Sequence, residues 1–182
     1  MGTDIVTAPF GGKSEAGARA LDGFVDGLRV SHDGTPAHVT AIGHSYGSTV
    51  LGEAASTGDG LAVDDMIAVG SPGMRADNAN EFNIDTRHVW AGATADDTWV
   101  ARPEENAKWL IGVPIVGPAL ADGAVGIHGP GPHNPEFGAN VLHVDTSGHS
   151  GYWTEDSQVL RSQGAVIVGD YEGAVLEHGR AP

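Results

Sequence analysis

The segment Gly43-His44-Ser45-Tyr46-Gly47 constrains this chain more than any other. It follows the short apolar run Val39-Thr40-Ala41-Ile42 and precedes a stretch of small residues from Ser48 to Ala55. Gly-x-Ser-x-Gly between a strand-like run and a helix-compatible run is the sequence form of a nucleophile elbow, a sharp strand–turn–helix that pushes the serine hydroxyl out of the sheet. In so tight a turn, side chains two positions either side of the serine are expected to collide, and glycine at 43 and 47 removes them. With 28 glycines in 182 residues the bare pattern arises readily by chance, and a glycine-rich turn with a solvent-facing serine is the plain alternative. The flanking runs and the residues downstream separate the two readings.

Short apolar runs recur along the chain. Met66-Ile67-Ala68-Val69 is closed by Gly70-Ser71-Pro72-Gly73, and His88-Val89-Trp90-Ala91 and Val141-Leu142-His143-Val144 follow. Ser14 to Val30 reads as an amphipathic helix, with Leu21, Phe24, Val25 and Leu28 on one face. Glu155 to Val168 reads as a C-terminal helix. Continuous apolar strands separated by helices predict an α/β fold, a mostly parallel sheet with helices on both faces. No repeat or low-complexity linker divides the chain, so residues 1–182 are read as one domain. The Pro-, Gly- and apolar-rich segment 102–140 is read as a lid or pocket-lining insertion, with Trp109, Leu110, Ile111, Val113 and Ile115 as its apolar members.

In a parallel sheet the loops after the strand C-termini converge on one edge. The elbow occupies one such loop. The loop after the third strand carries Asp96 and Asp97, and the loop after the fourth carries His149. The resulting order is serine, aspartate, histidine. Ser45 is a poor nucleophile unless a base removes its proton. His149 is placed to do so and to return the proton to a leaving group. An aspartate would fix the imidazole tautomer. Asp97, followed by Thr-Trp-Val, suits an acid leading into apolar packing, and Asp96 is the alternative. Tyr46 contributes through its backbone N–H, at the helix N-terminus, as an oxyanion donor. His44 is expected to pack beneath the elbow. His128 and His133 lack the i, i+4 spacing of a zinc-binding helix, so neither a metal nor a cofactor is expected.

The chain has 24 Asp and Glu against 9 Lys and Arg, a formal net charge of −15. That field repels nucleic acid and anionic membranes. The chain has no cysteine, which removes thiolate nucleophiles and disulfides. No signal peptide or membrane-spanning stretch is read, and the cytoplasm is the default location.

Taken together, Val39 to Ser48, Gly70 to Met74, His128-Gly-Pro with Pro132 and Phe137-Gly138-Ala139, and Gly148-His149-Ser150 leading to Tyr152-Trp153 resemble the alpha/beta hydrolases catalogued as domain of unknown function 1023. These segments span most of the chain, from about Pro9 to about Gly169. The resemblance implies a hydrolase with Ser45 as nucleophile, His149 as base and Asp97 or Asp96 as acid, and the first functional reading is a serine hydrolase acting on a small-molecule ester or thioester. It also implies strands before the elbow strand and a second oxyanion N–H from a loop there. Only about forty residues precede the elbow, so the chain looks like the C-terminal two-thirds of the usual domain. Pro9-Phe10-Gly11-Gly12 is the one candidate donor loop. The elbow strand is expected to be covered, either by Asp4–Ala8 folded back alongside it or by a second copy in a homodimer. A catalytically weak or inactive binding or assembly module is the competing function, and an esterase-like fold working on peptides or glycans a third.

Overall fold

The structure, a computed structural model, describes residues 12–97 and 128–182. Helix α1 (Gly12–Ser31) leads to strand β1 (Thr40–His44) and helix α2 (Tyr46–Ser56). Strands β2 (Asp65–Val69), β3 (Val89–Gly92) and β4 (Asn140–Leu142) follow, then helix α3 (Gln158–Ile167) and strand β5 (Leu176–His178). The sheet order is β1-β2-β3-β4-β5, with the first four strands parallel and β5 antiparallel to β4. The α/β class and the mostly parallel sheet are therefore as expected, and the four anticipated strands lie within two residues of their anticipated places. β5 was not anticipated, since Leu-Glu-His is too short to show a period.

β2 lies inside the sheet between β1 and β3, and every one of its residues is buried. Its alternation sorts the core into two layers. Met66 and Ala68 pack with α1 and α2 through Ala18, Val25, Leu51 and Ala54, while Ile67 and Val69 pack with Trp90, Leu142, Tyr152, Val159 and Val166 on the α3 side. Side chains at successive positions of a strand point to opposite faces, so a strand covered on both sides is apolar throughout. Each large buried side chain contributes about 1.5–3 kcal/mol.

The inward line of α1 runs through the buried Ser14, Ala18 and Val25 with Leu21 partly buried, so it keeps Leu21 and Val25 of the stripe expected from periodicity but leaves out Phe24 and Leu28. Phe24 is 63% and Leu28 42% exposed. Close helix packing explains the rotation. Gly17 sits against Val50, where an added Cβ would lie 3.0 Å from Val50 Cγ1. The smallest side of α1 therefore faces α2.

Among the described residues β1 pairs only with β2, and Ile42 is 38% exposed. The segment 4–8, one proposed cover for this strand, lies outside the described residues, as does the greater part of the 102–140 insertion with its apolar residues 109–115. Its described end includes Phe137, buried 6.0 Å from Phe82 between ring centroids.

At the N-terminal end of β2, the fully buried Asp65 carboxylate is satisfied by four side chains. His38 Nε2 lies at 2.8 Å and His88 Nδ1 at 3.0 Å, while Trp90 Nε1 donates at 2.8 Å and the Tyr171 hydroxyl at 2.9 Å. A buried carboxylate is tolerated only when surrounded by donors in this way. This cluster staples the end of the sheet opposite the elbow.

Candidate active site

Ser45 joins β1 directly to α2. Its backbone has φ 54° and ψ −130°, a region that non-glycine residues rarely enter and that costs about 1–3 kcal/mol. Three contacts hold it there. Its N–H donates to the Val69 carbonyl at 3.0 Å, its carbonyl accepts from Ser48 N–H at 3.0 Å, and the Ser48 hydroxyl donates to the same carbonyl at 2.6 Å. The Ser48 and buried Ser71 hydroxyls hydrogen-bond at 2.7 Å, which links the elbow to the turn after β2.

The two elbow glycines differ. A Cβ on Gly43 would lie 2.6 Å from Ser48 Cα and 2.7 Å from Ser48 N, so backbone meets backbone there and only glycine fits. A Cβ on Gly47 would meet nothing within 4 Å beyond its own helix turn. The expected collision is thus real at 43 and absent at 47, because α2 has already carried Gly47 away from the strand.

His149 arrives on the loop after β4. Its Nε2 lies 2.8 Å from Ser45 Oγ, and its Nδ1 lies 2.8 Å and 3.0 Å from the two oxygens of Asp97. With the ring proton on Nδ1 and donated to Asp97, Nε2 accepts from the serine hydroxyl. The Asp97 side chain is fully buried and that of His149 is 26% exposed, so the acid is shielded from water while the base reaches the surface. Asp96 faces elsewhere. Its Oδ1 accepts from Gly148 N–H at 2.8 Å, which ties the aspartate loop to the histidine loop. Of the two candidate acids, Asp97 is the one on the imidazole.

Tyr46 is the first residue of α2, whose first-turn N–H groups point out of the helix end beside Ser45. Of the candidate loop for a second donor, Gly11 lies outside the described residues, and Gly12 is exposed at the start of α1.

Residues that sequence reasoning did not assign to the site complete it. His44 Nε2 hydrogen-bonds the His149 carbonyl at 2.6 Å, and the two rings lie 4.8 Å apart. Trp153, 44% exposed, stands edge-on to His44 at 6.2 Å on the rim. Gly70, at φ 58°, floors the Asp97–His149 pair; a Cβ there would lie 2.9 Å from Tyr152 Cε2, 3.3 Å from Asp97 Oδ2 and 3.4 Å from His149 Cε1. Its place directly after a buried strand was the available signal.

His128 packs edge-on to the Tyr46 ring at 5.7 Å. Burial pushes the imidazoles of both His128 and His133 below their ordinary value, so both are neutral at neutral pH. Among the described residues no group of three His, Asp or Glu side chains is placed to hold a metal ion, and no helix is long and apolar enough to cross a membrane.

Comparison with known proteins agrees with this architecture. The uncharacterized protein Rv2079 of Mycobacterium tuberculosis (strain H37Rv) is 31% identical over 164 residues, which cover 84% of this chain and 24% of the relative. The uncharacterized protein Rv0963c of the same strain is 34% identical over 73 residues, 40% of this chain and 27% of the relative. The chain thus spans about a quarter of the length of the curated relatives it matches. No solved structure matches. The family model described as alpha/beta hydrolase matches residues 2–107, more than half of the chain and the part that contains the elbow. The chain belongs to the alpha/beta hydrolase family.

Proposed function

We propose that this protein is a serine hydrolase that cleaves a carboxylic ester or thioester through an acyl-enzyme. The observation that carries the proposal is the unbroken line from Ser45 Oγ through His149 to the buried Asp97, with steps of 2.8 Å and 2.8 Å. Ser45 Oγ attacks the substrate carbonyl carbon while His149 Nε2 takes the hydroxyl proton. Asp97 holds the tautomer and stabilises the imidazolium. The tetrahedral oxyanion develops at the α2 N-terminus, where Tyr46 N–H is the first donor. On collapse the carbonyl–leaving-group bond breaks, and His149 gives its proton to the departing alcohol or thiol. Water then attacks the acyl carbon, His149 again takes a proton, and Ser45 is regenerated as the acid leaves.

The strained Ser45 backbone supports the same reading, since a local conformational cost is retained where a reactive group must be presented. We assign the chain further to the branch catalogued as domain of unknown function 1023, on Gly43 to Ser48, Gly70 to Met74 and Gly148 to Trp153. The β1 edge is proposed to be completed by residues 4–8 or by a second copy of the chain.

The test is labelling with a fluorophosphonate probe, with short p-nitrophenyl esters as first substrates. Labelling of the native protein at Ser45, lost in Ser45→Ala, is the expected result. Absence of labelling in the folded native protein, or labelling on another serine, would refute the assignment. The first of these outcomes would leave the hydrolase-fold binding module standing.

A further inference from the structure

We propose that Tyr152 is a positioning residue for the triad acid, its phenolic O–H donating to Asp97 Oδ2 and holding that carboxylate against His149. The proposal rests on the hydrolase reading of Ser45, His149 and Asp97.

The direction of the hydrogen bond follows from its surroundings. Thr94 N–H lies 3.1 Å from the phenol oxygen and can only donate, so the oxygen accepts there and its own proton remains for Asp97, 3.1 Å away. Tyr152 is fully buried. Burial, with the Asp97 charge adding to it, pushes the phenol up to about 12, so it stays protonated and keeps donating at any working pH.

The arrangement grips the acid from one short piece of chain. His149 and Tyr152 are three residues apart, and Tyr152 lies in the single turn Gly151–Trp153. Both reach Asp97 Oδ2, at 2.8 Å and 3.1 Å. The same two loops are laced together by Gly148 N–H on Asp96 and by the Thr94 hydroxyl on the Gly148 carbonyl. The turn is anchored in its own right, because Gln163 Nε2 of α3 donates to the Tyr152 carbonyl at 3.0 Å. Gly70 completes the fit, since its missing side chain leaves the space that the phenol ring and the carboxylate occupy.

A tyrosine that is only a core residue would give the same contacts, so the test needs a readout that packing does not move. Removing one donor from a buried carboxylate leaves more of its charge to its other partners, the imidazolium among them. In Tyr152→Phe the ring and its packing stay. The acid limb of fluorophosphonate labelling against pH is expected to move to higher pH, with kcat on a p-nitrophenyl ester reduced about tenfold and KM unchanged. Incorporation of 3-fluorotyrosine at position 152 makes the phenol a stronger donor and should move the limb the other way. The same midpoints are read by histidine 15N NMR titration of the unreacted protein, assigned with His149→Gln. That titration decides the role of Tyr152 even if the native protein labels no probe. An unmoved midpoint in both variants, or a downward move in Tyr152→Phe, overturns the proposal. If Tyr152→Phe does not fold, the fluorotyrosine protein decides alone.

Discussion

Ser45 Oγ and His149 Nε2 lie 2.8 Å apart although 104 residues separate them in the chain. The parallel sheet makes this possible. Both side chains leave the same edge, one directly after β1 and the other a few residues after β4, with Asp97 brought in from the loop after β3.

The two neighbouring aspartates should differ sharply in their kinetic weight. Asp97→Asn replaces the carboxylate on His149 Nδ1 and should lower esterase kcat about 10³–10⁴-fold with little change in melting temperature. Asp96→Asn retains an oxygen that accepts from Gly148 N–H, so its loss should stay below about tenfold. Steady-state kinetics on both variants checks the ranking, and the reverse order would move the acid to Asp96.

The two elbow glycines should differ as sharply in stability. In Gly43→Ala the methyl group meets Ser48 backbone at 2.6 Å, where nothing flexible can yield, and the cost should reach about 3 kcal/mol or prevent folding. In Gly47→Ala the methyl group enters open space on a helix and should be neutral or stabilising by up to about 1 kcal/mol. Urea midpoints of the two variants settle the matter; equal losses at both positions would contradict the geometry.

Acid stability should depend on Asp145. This residue starts the His149 loop and accepts from the Gln158 and Val159 N–H groups at the head of α3. Those backbone bonds, that of Gln158 foremost, hold its carboxyl below the ordinary value of 3.8. A carboxyl depressed in the folded state contributes stability that is complete above its unfolded value and lost as pH falls through the folded one. Urea midpoints measured from pH 7 downward should therefore show native protein more stable than Asp145→Asn. The two curves should converge only below about pH 4. A gap that persists at the acid end would show that the carboxylate charge is not the source.

The amino-acid sequence by itself determined the elbow, the serine–aspartate–histidine order and the places of the parallel strands. Each of these is a local pattern. The glycines around Ser45, read with the apolar run before them and the small residues after them, are legible within one short stretch of chain, as is each run of apolar residues. The tertiary structure alone decided the rest. Asp96 and Asp97 are chemically identical neighbours, and what separates them is which one meets His149, 52 residues away, and which meets Gly148. The buried line of α1 passes through Ala18 and Val25, leaving Phe24 in water, because Gly17 lets α2 approach from that side. Tyr152 is one aromatic among several in the sequence, and only the fold sets its hydroxyl between Thr94 and the Asp97 carboxylate. Direction is the common reason. A one-dimensional pattern tells which segments are apolar and in what order they come, whereas which face of a helix is buried and where a loop side chain points are fixed by partners that lie far away in sequence.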